Sequence, residues 1–249
     1  MSRVIYEKSK ALTDLDFHYC PGCTHGIIHK LVAESLVELD ILDRSICVAA
    51  VGCSVLTYKY FNCDSIQVPH GRAPAAATGV KRTNPDKIVF TYQGDGDLAG
   101  IGMGEIIHSA HRGENITVIF VNNAIYGMTG GQMAPTTLTG QKTTTSPFGR
   151  NEAKQGKPIK IAELISQVPS SYYVERVSTH DVANVRKAKK AIKKAFENQI
   201  NKKGFSLIEI LSTCNIGWGL SPVEALKYLG DFMVPYYKPG VYKDEGELK

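Results

Sequence analysis

Apolar positions along this chain fall into two rhythms. Between residues 24 and 39, Ile27, Ile28, Leu31, Val32, Leu36 and Leu39 recur at the three- and four-residue spacing of an amphipathic helix. A short apolar run closing on glycine, ICVAAVG from Ile46 to Gly52, reads instead as a buried strand. The two signals then take turns. Helices are predicted over Ala73–Arg82, Leu98–His111, Ile159–Val168 and Asp181–Ile200, and strands over Lys87–Gln93, Ile116–Asn122, Ser171–Ser178 and the run FSLIEILSTC that ends at Cys214. Strands that are apolar throughout are buried on both faces, and their alternation with helices is the pattern of a mostly parallel sheet covered by helices on either side. The predicted class is α/β, as a single domain over residues 1–249.

Three stretches break the rhythm. Residues 1–23 carry a CxxC pair and read as an N-terminal extension. Residues 127–158 are rich in Thr and Gly, and so long a loop in a compact protein is functional or mobile. Residues 215–249, with Pro222, Pro235, Pro239 and several tyrosines, read as an extended C-terminal arm that reaches a neighbouring chain.

Composition narrows the choice of function. A chain of 249 residues with a formal net charge of +5 tolerates an acidic partner without demanding nucleic acid. No apolar run approaches the ~20 residues of a membrane span, and the N-terminus lacks the apolar core of a secretory signal. A cytoplasmic protein with neither a membrane nor a nucleic-acid partner is expected. In that compartment six cysteines are metal ligands, catalytic groups or buried thiols before they are disulfides.

The segment TYQGDGDLAG, Thr91 to Gly100, has the strand–glycine–helix form of a phosphate loop yet carries Asp95 and Asp97. As a dinucleotide fingerprint, Gly94-Asp95-Gly96-Asp97-Leu98-Ala99 fits G-x-G-x-x-A, but an Asp at its second position would repel a pyrophosphate held on backbone N–H groups. The next strand also ends in the neutral pair Asn122-Asn123 rather than in an acid that could hold a ribose. A divalent cation removes the conflict. Mg²⁺ takes one or two protein oxygens plus substrate phosphates. If the two strands are neighbours, their ends lie ~4.8 Å apart and an Asp and an Asn can share the ion.

Cys20-x-x-Cys23 is by itself a redox pair, half a zinc site or half an iron–sulfur site. Cys53 and Cys214 stand at strand ends, which in a parallel sheet converge on the ligand crevice, so four thiols can meet near the diphosphate site. Zinc and a [4Fe–4S] cluster both remain open at this point. Cys47, inside a strand, is read as a buried thiol, and Cys63 is read as standing outside the ligand set.

Gly-Asp-Gly followed by Asn-Asn, with 25 residues between Gly96 and Asn122, resembles the thiamin diphosphate signature. The motifs YCPGCTHG, VGCS, HGRAPAAATG, GDGD, NNAIYGMTGGQ, TTTSPFGR and LSTC occur in the order seen in the beta subunits of the 2-oxoacid:ferredoxin oxidoreductases. The chain resembles these over nearly its whole length, most closely those of the 2-oxoisovalerate and 2-oxoglutarate type. The resemblance implies the thiamin diphosphate-binding fold and oxidative decarboxylation of a 2-oxoacid with coenzyme A and ferredoxin. It implies Mg²⁺ on Asp95, Asn123 and the Ile125 carbonyl, and a [4Fe–4S] cluster on Cys20, Cys23, Cys53 and Cys214. One-electron chemistry favours that cluster, since zinc is redox-inert. Ser54, Gly94, Gly96, Asp97, Tyr126, Gly127, Thr129 and Gly130 are expected around the cofactor, with His70 and Arg72 on the catalytic face. The glutamate that activates the cofactor normally lies in a separate pyrimidine-binding domain that this chain lacks, so alpha- or gamma-type partner subunits are expected to complete the site. The basic stretch from Arg186 to Lys203 is a solvated face or, on a sharper reading, a dock for acidic ferredoxin. Apolar Val55 and Leu56 lean towards a branched-chain substrate, with Lys59 a candidate cation for 2-oxoglutarate. Pyruvate, a zinc-stabilised non-catalytic module and a nicotinamide dehydrogenase are the alternatives.

Overall fold

Every predicted strand forms, within two or three residues of its expected ends. The computed structural model describes residues 7–246, so residues 1–6 of the predicted extension and 247–249 of the predicted arm lie outside it. In chain order the elements are α1 (His25–Glu38), β1 (Ser45–Ala49), α2 (Thr57–Tyr60), β2 (Asp64–Gln67), α3 (Ala73–Thr83), β3 (Ile88–Gly94), α4 (Met103–His111), β4 (Thr117–Asn122), α5 (Glu152–Gln155), α6 (Ile161–Ser166), β5 (Ser171–Ser178), α7 (Val182–Ile200), β6 (Phe205–Leu211), α8 (Asn215–Trp218), α9 (Pro222–Tyr228), α10 (Val234–Tyr236) and β7 (Gly240–Asp244). The strands form one sheet in the order β2-β1-β3-β4-β6-β5-β7. All neighbours are parallel except β5 and β7.

Successive side chains on each central strand serve opposite faces. Phe90, Tyr92, Ile119, Val121, Ile208 and Ile210 pack with α1 and α7, whereas Val89, Val118, Phe120 and Leu207 pack with α3, α4 and α6. Burial on both faces is the reason these strands read as unbroken apolar runs. The edge strands β2 and β7 carry no such run because both are largely exposed.

Two expectations need correction. The helix predicted over Leu98–His111 is broken: a π-helical turn, Gly96–Ile101, precedes α4. The Gly102 N–H closes the wide turn on the Asp97 carbonyl at 2.7 Å, and a Cβ on Gly102 would stand 2.7 Å from the Gly71 carbonyl oxygen. Second, the C-terminal arm is not extended. Pro222 and Pro235 lie in the first turns of α9 and α10, where a missing N–H is harmless. Leu229, Met233 and Tyr237 bury against Ala124, Leu138 and Leu211 of the same chain, and β7 closes the sheet edge beside β5. The 127–158 loop, read as functional or mobile, is held around Arg150, whose guanidinium donates to the carbonyls of Pro135, Thr137, Gln155, Gly156 and Lys157 at 2.8–3.1 Å. On α7, Val182 is 69% exposed, and the buried seam includes Ala188, Ala191, Ile192, Ala195 and Phe196. Lys189 on this helix bonds Glu34 and Glu38 of α1 at 2.6 and 2.7 Å, so part of its basic charge is neutralised within the chain.

Among the described residues no helix is long and apolar enough to cross a membrane.

Candidate functional site

β3 and β4 are neighbours, with Gly94 opposite Val121. Their carboxyl ends therefore bring Asp95 and the Asn122-Asn123 pair together. Asp95 is 2% exposed. Its carboxylate accepts the N–H groups of Gly96 at 2.9 Å and Ile125 at 3.1 Å and the Thr136 hydroxyl at 2.5 Å. Among the described residues no Lys or Arg lines the cavity it faces. Burial pushes its pKa up to about 7 against the pull of those hydrogen bonds. A buried carboxylate with neutral donors only is a site that gains from a cation.

The two asparagines part company. Asn122 turns into the protein, giving its amide N–H to Glu209 at 2.8 Å. Asn123 turns to the cavity that Asp95 and Ile125 also line. Between Asn123 and Ile125, Ala124 takes a left-handed φ of 59°, a conformation that costs a non-glycine residue ~1–2 kcal/mol and that turns the chain sharply at the strand end.

His70 reaches the same cavity and is fixed by Asp97. The Asp97 carboxylate accepts from His70 Nδ1 at 2.5 Å, the Gly71 N–H at 2.7 Å and Gln93 Nε2 at 2.6 Å. Asp97 lines the cavity too, with its carboxylate engaged by these protein donors so that it orients His70. Arg72 is not brought to the cavity: its guanidinium pairs with Glu105 and is half exposed. Ser54, Gly94, Gly96, Tyr126, Gly127 and Thr129 all line the cavity, whereas Gly130 lines the neighbouring one. Tyr126 lies across Gly96 and donates to its carbonyl at 3.0 Å. Lys59 sits on the exposed side of α2 and is not among the lining residues.

The neighbouring cavity, of ≈ 370 Å³, is lined by Cys20, Cys23, Cys53 and Cys214. It shares His25, Cys53, Asn123, Gly127 and Met128 with the first, so one wall separates the two. Cys47 is fully buried in β1, and Cys63 likewise stands outside this group. Among the described residues no group of three or more His, Cys, Asp or Glu side chains stands ready to hold one ion. Burial first, then the neighbouring cysteines, pushes the Cys53 thiol up to about 12. Burial likewise takes Cys23 and Cys214 to about 12. Each of these thiols must therefore release a proton when it binds metal.

Comparison with known proteins bears on this pair of cavities. Residues 50–210 match the family described as thiamine pyrophosphate enzyme, C-terminal TPP binding domain, that is, thiamin diphosphate. The 2-oxoglutarate synthase subunit KorB of Methanocaldococcus jannaschii is 38% identical over 217 residues, which covers 85% of this chain and 76% of that one. This chain belongs to the beta subunits of the 2-oxoacid:ferredoxin oxidoreductases. Ketoisovalerate oxidoreductase subunit VorA of Methanothermobacter thermautotrophicus is 48% identical over 210 residues, 84% of this chain but 44% of that one, so this beta subunit spans less than half the length of that relative. The fold matches a solved 2-oxoglutarate:ferredoxin oxidoreductase from Magnetococcus marinus, with a TM-score of 0.78 at 24% identity, over 96% of this chain and 85% of that one.

Three residues of this beta subunit's site were missed by sequence reasoning. Thr136 lies in the polar loop, where a hydroxyl has no distinguishing pattern. His25 counts as part of α1 yet is buried between the two cavities, its Nδ1 bonded to the Tyr92 hydroxyl at 2.8 Å. Trp218 donates its indole N–H to the Asn123 carbonyl at 3.0 Å; its being the single tryptophan of the chain was the one available signal. A further expectation concerns Gly96. A Cβ there would fall within the Tyr126 ring, so Gly96→Ala must displace the ring at a cost of ~1–3 kcal/mol. Calorimetric titration of Gly96→Ala with Mg²⁺ and thiamin diphosphate is expected to show no binding. Wild-type affinity would mean that Tyr126 is not part of the cradle.

Proposed function

We propose that this beta subunit holds the diphosphate end of thiamin diphosphate through Mg²⁺ and carries a [4Fe–4S] cluster beside it, for ferredoxin-linked oxidative decarboxylation of a branched-chain 2-oxoacid with coenzyme A. The observation that carries the reading is the shared wall between the Asp95–Asn123 cavity and the four-cysteine cavity. The Asp95 carboxylate, the Asn123 amide and the Ile125 carbonyl would hold the ion, and the Thr136 hydroxyl orients the carboxylate. Tyr126 on Gly96 forms the cradle floor. Asp97 takes one nitrogen of His70 and leaves the other for a ligand proton. Cys20, Cys23, Cys53 and Cys214 would hold the cluster. Thiamin diphosphate supplies, when bound, the nucleophilic carbon and the electron sink for loss of CO₂.

The first cavity has a volume of ≈ 100 Å³, below the ~300–1,000 Å³ of pockets that enclose a whole ligand. It has room for the ion and diphosphate, and a partner subunit supplies the remaining wall and the activating glutamate. Val55 and Leu56 do not line this cavity, so the choice of a branched-chain substrate is supported by the identity to the ketoisovalerate relative. A second reading, 2-oxoglutarate, requires the partner to contribute the cation for the distal carboxylate.

The test is an absorbance spectrum of the anaerobically purified chain, before and after dithionite, with iron and zinc assayed together. A brown protein that bleaches and holds about four irons is the expected result. A colourless protein with stoichiometric zinc would exclude the ferredoxin-linked reading.

A further inference from the structure

The segment after Cys214 folds onto the loop that carries Asn123 and Ile125. A Cβ on Gly217 would stand 2.8 Å from Cys214 Sγ and 3.4 Å from Ile125 Cγ2. From the other side, a Cβ on Gly127 would stand 3.0 Å from Cys214 Sγ and 3.7 Å from Cys53 Sγ, and one on Gly131 would stand 3.3 Å from the Gly217 carbonyl oxygen. Glycines on both loops thus let two backbones interlock where side chains would hold them apart.

Trp218 is the polar tie across this contact. Its N–H meets the Asn123 carbonyl at 3.0 Å, in the peptide that leads into the left-handed Ala124. The bond fixes the plane of that peptide and, through it, the direction of the Asn123 side chain. The indole is itself held: its ring packs on Tyr228 with centroids 4.9 Å apart, on a helix whose start is locked by the Ser221–Glu224 capping box. The same segment is stapled to the CxxC loop. Asn215 Nδ2 donates to the Pro21 carbonyl and Thr213 Oγ1 to the Gly22 carbonyl, each at 3.0 Å, while Thr24 and Thr213 exchange two bonds of 3.2 Å. A shift of the cysteines would therefore be passed to α8, and from Trp218 to the loop of Asn123.

We propose that Trp218 is a positioning residue that couples the two cavities, so that a loaded cysteine site raises the affinity of the Asp95–Asn123 site for Mg²⁺ and thiamin diphosphate. The inference rests on the cofactor reading above. It adds that the two cofactors bind with positive linkage and names the bond that transmits it. By reciprocity thiamin diphosphate stabilises the loaded cluster by the same factor.

The test is calorimetric titration of the full chain with Mg²⁺ plus thiamin diphosphate, using four samples: wild type and Trp218→Phe, each with its iron intact and after removal of iron by a chelator. Wild type is expected to lose roughly tenfold in affinity when iron is removed, within the usual range of coupling between sites. Trp218→Phe, with wild-type iron content and melting temperature, is expected to bind more weakly than wild type when loaded and to lose little more when stripped. Tyr228→Leu, which removes the ring that holds the indole, serves as a second variant with the same expected signature. Equal affinity of loaded and stripped wild type would overturn the coupling, and variants that keep the full tenfold difference would overturn the role of Trp218. A wild type that binds thiamin diphosphate but never held iron would overturn the cofactor reading itself, and the linkage with it.

Discussion

Asp95→Asn is expected to lose Mg²⁺-dependent thiamin diphosphate binding by more than ~100-fold while the metal-free protein loses the fall in melting temperature that wild type shows between pH 5 and pH 8. Both effects have one cause. The carboxylate is buried without a cation, and burial raises its pKa to about 7, against ~3.9 in an unfolded chain. A raised carboxylate pKa means that the folded state binds a proton more tightly than the unfolded state. Between about pH 4 and pH 7 the folded form therefore holds more protons, and stability falls as pH rises through that window. Above it the full penalty remains, on the order of 4 kcal/mol at ~1.4 kcal/mol per pKa unit. The amide does not ionise, so metal-free wild type should melt lower at pH 8 than at pH 5 and the variant should lose this slope, at a pH-independent cost because its Nδ2 faces a donor where a carboxylate oxygen accepted. Saturating Mg²⁺ and thiamin diphosphate should flatten the wild-type profile too, because the ion favours the charged form. The binding loss exceeds the 10–100-fold typical of partners outside the coordination sphere, because a charged ligand is removed. Wild-type affinity in Asp95→Asn would remove Asp95 from the metal site; an unchanged melting profile would show that the carboxylate is relieved in another way.

Glu209→Ala is the second large effect. Arg176 on β5 is fully buried, and its guanidinium is held by Glu163, by Glu209 at 2.9 Å and by the Tyr242 hydroxyl at 2.7 Å. Glu209 also accepts from Asn122 Nδ2 at 2.8 Å and the Ala162 N–H at 3.1 Å. Truncation leaves a buried cation short of its buried counter-ion, at ~3–5 kcal/mol, and frees the asparagine beside Asn123. A fall in melting temperature of roughly 10 °C is expected at ~2–4 °C per kcal/mol. Weaker thiamin diphosphate binding should accompany it. Replacing both core charges, Arg176→Met with Glu209→Leu, should recover part of the stability, since no buried cation is then left unpaired, while Glu163 loses its partner and the Asn122 hydrogen bond is not recovered. A single variant that melts within a degree or two of wild type would show that water reaches the guanidinium.

The sheet was legible because burial on both faces leaves an unambiguous trace: the run KIVFTYQ has no other stable place. The loop chemistry was legible for a different reason. Asp95, Asn123 and the cysteines stand at strand ends, and a parallel sheet brings strand ends together whatever the loops do. What escaped is what depends on contact between distant segments. Pro222 and Pro235 looked like breakers of an extended arm because the core formed by Ala124, Leu138 and Leu211, which holds that arm in helices, is visible only in three dimensions. Arg72 looked catalytic beside His70, yet Glu105 on α4 claims it. Thr136 and Trp218 touch the site from positions that neither periodicity nor motif marks.

The strand order has a consequence for synthesis. β6 lies between β4 and β5, although β5 is made first. When β5 leaves the ribosome it has no partner, since its only neighbours, β6 and β7, are still to come. A nascent chain that ends before Phe205 must hold an unpaired apolar strand, which is a hazard for aggregation. Cys214 follows directly on β6, so the last of the four clustered thiols emerges only when the sheet can close around β5. On the proposed cofactor reading, cluster assembly would be timed by the sheet: iron delivered earlier would find three cysteines, and a complete set would exist only once the central strands are in place.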